Sequence, residues 1–307
     1  MKQYAIASLL FLLAAGFATG TAQSMDNGNW NHTDGPYGGS VWAVYVTPDG
    51  AILAGTLSHG VYLTTDDGEN WLQSDLDDVS VYQFAKSSGE TIFAATQNGV
   101  YRSGDNGRSW SRTSGGMDET RVQSVYVHQS GRVFAATLAG GIYMSENNGD
   151  SWSEANEGIP LKFAYAIGSH PDGELFAGVT NRMFRSADDG DTWTEAETDF
   201  PNVRANAIVS NDDGDLFVAT QAGIYRSEDQ GVSWSQTGNQ FANSEILDLA
   251  VTRENYLIAG TREGVYRSTD NGNTWDAYGL SDHPVYAVGS GSGKVIVGGN
   301  PGVYIHR

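Results

Sequence analysis

Residues 60–71 read GVYLTTDDGENW, and close copies of this segment recur along the whole chain. The copies are GVYRSGDNGRSW from Gly99, GIYMSENNGDSW from Gly141, RMFRSADDGDTW from Arg182, GIYRSEDQGVSW from Gly223 and GVYRSTDNGNTW from Gly264. The chain ends on half a copy, GVYIHR from Gly302, and the missing half stands near its start as SMDNGNW, residues 24–30. The Trp that closes each copy recurs every 39 to 42 residues, which is a spacing typical of a repeat fold.

Each repeat contains four short runs of β-forming residues. In the second full repeat they are Val81–Ala85, Thr91–Thr96, Val100–Ser103 and a run that begins at Trp110. Ser-Gly, Asn-Gly and Asp-Asn-Gly turn signals separate them, and no helical periodicity is visible. Four antiparallel strands per period are typical of a propeller blade. We therefore predict an all-β fold, a seven-bladed β-propeller of four-stranded antiparallel blades.

The divided seventh copy predicts how the ring closes. Trp30 should supply the outermost strand of a blade whose three inner strands begin near Val285, Val295 and Val303. Pairing the N-terminal strand with the C-terminal three would remove two exposed strand edges. We therefore expect the two ends of the chain to share one blade.

The start of the chain has the pattern of an export signal. Lys2 precedes a 13-residue apolar run from Ala5 to Phe17, and small residues follow up to Ala22. A helix needs about 20 residues to span a bilayer, so this run is too short for a membrane anchor. We expect a secretory signal peptide at 1–22 and a single seven-bladed propeller at 23–307, secreted or periplasmic and without membrane insertion.

Composition narrows the classes of partner. The chain has 17 Lys and Arg residues against 37 Asp and Glu residues, and its net charge of −20 disfavours nucleic acid and anionic lipid. It has no Cys, and its six His residues show no metal-binding spacing, so we expect no disulfide, metal or cofactor. We also expect a monomer.

The repeated motif S/T-x-D-x-G-x-x-W resembles the Asp box, also called the BNR repeat. Asp-box propellers occur in sialidases, sortilin-type receptors, xyloglucan-cleaving glycosidases and the photosystem II stability and assembly factor family. The last family is the most similar in length and blade count. The resemblance implies boxes at the periphery, on the face away from the ligand, and in the assembly factors an Arg patch that docks a protein partner.

The motif residues themselves predict a structural role. The Asp side chains should accept backbone N–H bonds, and the Gly residues should adopt positive φ in the turn between the third and fourth strands. Adjacent carboxylates such as Asp66 and Asp67 suggest calcium, but the spacing is not that of an EF-hand loop. Because the same residues recur in every blade, we assign them to the fold.

Positions that differ between blades are better candidates for function. Alignment of the innermost strands places Val41, Val81, Val122, Ala164, Ala205, Ile246 and Val285 in one register. The next position reads Trp42, Tyr82, Gln123, Tyr165, Asn206, Leu247 and Tyr286. Two interpretations remain open, since these side chains could ring the channel mouth and bind a ligand or could pack between adjacent blades.

Four cations form a second candidate site. Arg121, Lys162 and Arg204 begin the inner strands of three consecutive blades, and Arg182 replaces the Gly that opens the third strand elsewhere. Arg side chains suit carboxylates, phosphates and sulfates, so this cluster predicts an anionic ligand. The alternative is that each cation pairs with a neighbouring carboxylate.

Few residues of the sequence fit the catalytic sites of known Asp-box glycosidases. The chain has seven repeats and no F/Y-R-I-P motif, unlike sialidases, and the xyloglucan-cleaving type needs two propellers. A new glycosidase would need two carboxylates about 5 to 9.5 Å apart. The candidates are Glu245 with Asp248, or Asp78 with Asp282. Asp248 stands where other blades have Ala, Ser or Gln. Two interpretations remain open, a partly buried acid or a solvated channel residue.

These observations favour a non-enzymatic protein. We expect an exported recognition or scaffold propeller that binds a protein partner, an acidic peptide or a glycan at the loop-rich end of its channel. The alternative is a glycoside hydrolase or lyase that acts on extracellular polysaccharide, and an enzyme built on this chain would be a glycosidase.

Overall fold

The computed structural model describes residues 29–37, 39–196 and 201–307. The predicted signal peptide, 1–22, and the first part of the divided motif, residues 24–28, lie outside the described residues. The described chain forms seven four-stranded antiparallel sheets that are arranged as the blades of a propeller. The predicted all-β, seven-bladed fold is confirmed.

In blades I to VI the four strands follow chain order from the channel outwards. The first strand of the chain is β1 (Trp30–His32). Blade I contains β2 (Val41–Val46), β3 (Ile52–Thr56), β4 (Val61–Thr64) and β5 (Leu72–Gln73). Blade II contains β6 (Val81–Lys86), β7 (Ile92–Thr96), β8 (Gly99–Ser103) and β9 (Ser111–Arg112). Blade III contains β10 (Val122–Val127), β11 (Val133–Thr137), β12 (Gly141–Ser145) and β13 (Ser153–Glu154).

The remaining blades follow the same plan. Blade IV contains β14 (Ala164–Ser169), β15 (Leu175–Val179), β16 (Arg182–Ser186) and β17 (Thr194–Glu195). Blade V contains β18 (Ala205–Ser210), β19 (Leu216–Thr220), β20 (Gly223–Ser227) and β21 (Ser235–Thr237). After a short 3-10 helix (Asn239–Phe241), blade VI contains β22 (Ile246–Val251), β23 (Leu257–Thr261), β24 (Gly264–Ser268) and β25 (Asp276–Gly279). Blade VII contains β26 (Val285–Gly291), β27 (Lys294–Gly299) and β28 (Val303–His306).

Blade VII is completed from the other end of the chain. Its strand order is β1-β28-β27-β26, and β1 pairs antiparallel with β28 through Trp30 opposite His306. The Trp30 indole also donates a hydrogen bond of 2.6 Å to the carbonyl of Tyr278 in blade VI. The predicted closure of the ring by the N-terminal strand is therefore confirmed.

The apolar core lies between blades. In blades I to VI every residue of the second strand is buried, which explains why these strands are short and almost entirely apolar. One core cluster joins Leu53 and Val61 of blade I to Val81 and Phe84 of blade II. Because each interface is built in this way, a blade cannot bury its apolar surface without its neighbours.

The strand directions give the propeller two different ends. At one end, here named the mouth face, the innermost strands begin, and the loops to the next blade and the hairpins between second and third strands lie there. At the other end, the turn face, lie the hairpins between first and second strands and the repeated motif. All predicted site residues belong to the mouth face or to the channel.

The motif forms the same turn in six blades. In blade I the Thr64 hydroxyl donates to Asp66 Oδ1 at 2.7 Å and accepts the Gly68 N–H at 3.0 Å, while Asp66 Oδ1 accepts the Asn70 N–H at 2.9 Å. Asp105, Asp188, Asp229 and Asp270 accept equivalent main-chain N–H bonds, and Asn147 does so in blade III. The turn glycines have φ between 79° and 86°. The predicted roles of Asp and Gly are therefore observed, and the carboxylates are used within the turn.

Candidate binding site at the channel mouth

A β-bulge occurs at the start of the innermost strand of every blade. The strand register shifts between Val41 and Ala43 in blade I, and the same shift recurs in the other six blades. The extra residues are Trp42, Tyr82, Gln123, Tyr165, Asn206, Leu247 and Tyr286, which we name the mouth ring. A bulge turns a side chain away from the regular alternation of the strand, so the backbone directs these seven side chains alike.

The mouth ring lines one cavity at the end of the channel. This cavity has a volume of about 170 Å³, and all seven mouth-ring residues border it. Trp42 is 36% exposed, and its ring centroid lies 5.4 Å from that of Tyr286 and 6.2 Å from that of Tyr82. The geometry therefore favours the first of the two sequence interpretations, in which these side chains surround the mouth, over packing between blades alone.

The opposite side of the mouth combines an aromatic ring with polar groups. The Arg204 guanidinium lies 5.3 Å from the centre of the Tyr165 ring, and its Nε donates to Asn206 Oδ1 at 2.9 Å. Asn206 in turn donates from Nδ2 to the Ile246 carbonyl of the next blade at 2.7 Å. This part of the mouth is held in place by its own hydrogen bonds, whereas the Trp42 side depends on ring contacts.

Asp248 follows the bulge of blade VI and borders the cavity. Its Oδ2 accepts the Val288 N–H of blade VII at 2.8 Å, and its Oδ1 accepts the Leu249 N–H at 2.9 Å. Gln83 makes the equivalent bond in blade II, where Oε1 accepts the Val125 N–H of blade III at 3.0 Å. Asp248 therefore ties two blades together as an amide does elsewhere.

The Asp248 carboxyl has an unusual protonation equilibrium. Burial raises its pKa to about 7, although the N–H donors of Val288 and Leu249 oppose the rise. The residue is not fully enclosed, but its open surface faces only the narrow cavity, so protein surrounds the carboxylate. The expectation of a partly buried acid agrees with this position.

The four predicted cations each have a carboxylate within ion-pair distance. The pairs are Arg121 with Glu119 at 4.0 Å, Lys162 with Glu154 at 2.8 Å, Arg182 with Glu195 at 2.8 Å and Arg204 with Glu245 at 3.2 Å. Three of the cations are exposed, and Arg204 is half-buried. The structure thus matches the alternative in which neighbouring carboxylates neutralise these cations, and an anionic ligand at this rim stays a prediction.

Neither pair of carboxylates proposed for catalysis meets at the cavity. Glu245 is held between Arg204 and Arg262, with the second pair at 2.7 Å. Asp78 and Asp282 are exposed in loops of the mouth face, with φ of 48° and 65°. Among the described residues that border the cavity, Asp248 is the one carboxylate. A pair of the glycosidase type is therefore not formed there by described side chains.

Two features of the site were outside the sequence predictions. Gln83 and Ser124 also border the cavity, since they follow the bulge as Asp248 does. Their position in the aligned repeats was the available signal, because the other four blades have Ala there.

In the described part of the chain, no group of three His, Asp or Glu side chains could hold a metal ion. No helix among the described residues is long and apolar enough to cross a membrane.

Several solved structures share this fold. The extracellular domain of a protein designated a one-component system, from B. thetaiotaomicron, has a TM-score of 0.76 and 15% identity over 92% of this chain and 40% of its own. The chain thus spans two-fifths of the length of that solved extracellular domain. The structure of YCF48 bound to D1 peptide has a TM-score of 0.69 and 18% identity over 92% and 95% of the two chains. A catalytically inactive virginiamycin B lyase from Staphylococcus aureus with quinupristin has a TM-score of 0.75 and 13% identity over 90% and 97%. Likeness at this level of identity shows the fold alone.

Sequence comparison identifies the family. No curated protein sequence matches the chain significantly. The profile of the DUF6242 β-propeller domain matches residues 100–212 and residues 175–289. The two matches overlap, as expected when similar repeats align in more than one register, and together they span more than half of the chain. This protein therefore belongs to the family of the DUF6242 β-propeller domain.

Proposed function

We propose that this protein is an exported, non-enzymatic recognition propeller that binds a peptide segment of a partner protein at the mouth of its channel. The observation that carries the proposal is the mouth ring. Seven bulges direct seven side chains to one cavity, and the side chains at this repeated backbone position differ between blades and include four aromatics. A repeat that keeps its backbone and varies its side chains at one place has the arrangement expected of a binding surface.

The chemistry of the ring suits a peptide. Among the described residues, the hydroxyls of Tyr82, Tyr165 and Tyr286 and the amide of Gln123 have no partner within the protein. They are available to peptide N–H and C=O groups, while the Trp42 ring offers an apolar face. Aromatic residues with a polar tip are common at the centres of protein interfaces.

Two further observations support the choice of partner and location. The YCF48 structure, which shares this fold, contains a D1 peptide, so a propeller of this size can bind a protein segment. Export is supported by the signal-like residues 1–22 and by the extracellular domains among the structural neighbours. The lack of a second described carboxylate at the cavity argues against the glycosidase alternative.

The test compares a variant of the mouth ring with a variant of exposed residues elsewhere on the purified protein. A display library of random peptides and a glycan array would be probed with the wild type and with a Trp42→Ala, Tyr286→Ala double variant. A Leu72→Ala, Val232→Ala variant is the matched control, because these side chains are 65% and 57% exposed but lie away from the mouth. We expect selected peptides to bind the wild type and the control, and to lose about tenfold or more in affinity on the ring variant.

Other outcomes would contradict the proposal in distinct ways. Equal peptide affinity in the ring variant would exclude the mouth as the binding site. Binding to the glycan array without peptide selection would make the ligand a carbohydrate, and cleavage of an arrayed glycan would restore the enzymatic alternative.

A further inference from the structure

The next-to-last position of the third strand provides an internal comparison between blades. Arg102, Arg185, Arg226 and Arg267 occupy the same position in blades II, IV, V and VI, directly before the Ser that begins each motif. Three of them have carboxylate partners at 2.6 Å, namely Asp150, Glu174 and Asp215. Arg267 is half-buried, and no described carboxylate lies within ion-pair distance of it.

A substitution within the repeat explains this difference. In blades IV and V the partners Glu174 and Asp215 immediately precede the second strand. In blade VI that position is Tyr256, so the Arg267 guanidinium lies over two rings instead, 5.9 Å from the centre of Tyr256 and 4.4 Å from the centre of Tyr278. In blade VII the equivalent residue is Lys294, which places a cation where blades IV and V have an acid.

These changes meet in one cavity on the turn face, which we name the VI–VII cavity. It has a volume of about 430 Å³ and is bordered by Arg253, Arg267, Lys294 and Arg307, with Glu254 as the bordering carboxylate. Lys294 and Arg307 share a single partner, Asp67, with Arg307 at 2.7 Å. Four cationic side chains therefore meet two carboxylate side chains, those of Glu254 and Asp67, in a protein whose net charge is −20.

Neighbouring side chains fix the position of the Arg267 guanidinium at the cavity. The rings of Tyr256 and Tyr278 restrain it, and the Tyr278 side chain also accepts a hydrogen bond from it, while no described carboxylate takes its remaining N–H donors. The Tyr278 hydroxyl lies 3.0 Å from His306 Nδ1, and burial, together with the charge of Arg267, lowers the pKa of His306. The lowered pKa favours the neutral form of His306, so the positive charge at this place is carried by Arg and Lys.

We propose that the VI–VII cavity binds an oxyanion of the phosphate or sulfate class, with Arg267 as its main ligand. The Arg fork matches two oxygens of such a group, and the ligand supplies the negative charge that Glu174 and Asp215 supply in blades IV and V. The volume also admits a small organic residue that carries the anion. This site lies at the opposite end of the propeller from the mouth ring and does not depend on the function proposed there.

The experiment measures the melting temperature and the affinity of the purified protein in phosphate and in sulfate, against chloride at the same ionic strength. The variant is Arg267→Gln, and the matched control is Arg102→Gln, which removes the same residue from the same strand position beside the exposed Asp150. We expect both oxyanions to raise the melting temperature of the wild type and the control. Arg267→Gln should lose about tenfold in affinity.

A second variant keeps the test valid if Arg267→Gln folds poorly. Arg253 is exposed, so Arg253→Gln should fold normally and weaken oxyanion binding by a smaller factor. A sugar phosphate and the matching sugar sulfate would then distinguish the two sources of the anion, and tighter binding of either supports the site.

Two results would overturn the proposal. The first is equal affinity in wild type and Arg267→Gln, and the second is an effect of phosphate and sulfate no greater than that of chloride.

Discussion

The motif turns and the mouth ring lie at opposite ends of the propeller, and both recur from blade to blade. The turns repeat their backbone and their side chains, since six blades use the same hydroxyl, Asp or Asn, and Gly in the same hydrogen bonds. The mouth ring repeats its backbone alone, and its seven bulges carry five different residue types. The side chains of the turns are therefore constrained by folding, whereas folding does not fix the side chains of the mouth ring.

The same contrast governs the carboxylates at the two ends. In the turn of blade I, hydrogen bonds from the Thr64 hydroxyl and from Asn70 lower the pKa of Asp66 to about 2. In the channel, burial raises the pKa of Asp248 to about 7. One end of the molecule therefore favours the charged acid and the other the neutral acid, so their contributions to stability depend on pH with opposite signs.

The largest effect is expected from a Cβ in a motif turn. Gly190 has φ of 86°, and a Cβ there would lie 2.4 Å from Cε1 of the buried Phe134 ring in the neighbouring blade. Gly190→Ala should therefore lower the free energy of unfolding by about 2 to 4 kcal/mol, from backbone strain together with overpacking. Denaturant titration followed by Trp fluorescence measures the loss.

Gly131→Ala is the control for this prediction. Gly131 has nearly the same φ, 87°, but a Cβ there would meet nothing within 4 Å. Its cost should be about 1 to 2 kcal/mol, from backbone strain alone. Equal losses in the two variants would mean that the turns do not contribute to packing between blades.

A smaller effect is expected at Asp248, and it should depend on pH. Because the pKa of this acid is raised in the folded state, the folded protein binds the proton more tightly than the unfolded chain. Its contribution to stability is therefore present below about pH 4 and is lost as the pH rises towards 7. Asp248→Asn removes the titration, so its stability relative to wild type should rise by about 1 to 3 kcal/mol between pH 4 and pH 8.

Unfolding titrations across this pH range, with Asp66→Asn as the control, test the prediction at Asp248. The control should show no such trend, since the pKa of Asp66 lies near 2. A constant difference between wild type and Asp248→Asn would show that the carboxyl does not titrate in this range.

Much of the fold could be predicted from the repeat. The period, the turn residues and the divided seventh motif gave seven blades and the pairing of Trp30 with the last strand, because each is written in local sequence. The aligned position of Trp42 and its equivalents was also visible. What stayed open was its direction, since the alternation of side chains along a strand does not reveal a bulge.

Charge pairing was harder to predict because it depends on neighbours in space. Lys162 and Arg182 are held by Glu154 and Glu195, which lie on the outermost strands and are eight and thirteen residues away in sequence. The VI–VII cavity was missed although its signal was present, as Tyr256 and Lys294 stand where blades IV and V have acids. That signal can be interpreted only once the structure shows that the Arg of the third strand contacts the residue preceding the second strand.

The smallest effect is expected within the motif turns, and the chain already contains the comparison. In blade III Asn147 replaces the Asp, and its Oδ1 still accepts the Ser151 N–H at 2.9 Å while its Nδ2 donates to the Ser151 hydroxyl at 2.9 Å. Asp229→Asn should therefore cost less than about 1 kcal/mol at neutral pH, whereas Asp229→Ala, which leaves the Ser233 N–H without its acceptor, should cost about 1 to 2 kcal/mol. Unfolding titrations of both variants measure this order. If Asn cost as much as Ala, the negative charge and not the hydrogen-bond geometry would hold the turn, and the tolerance of blade III for Asn147 would need another cause.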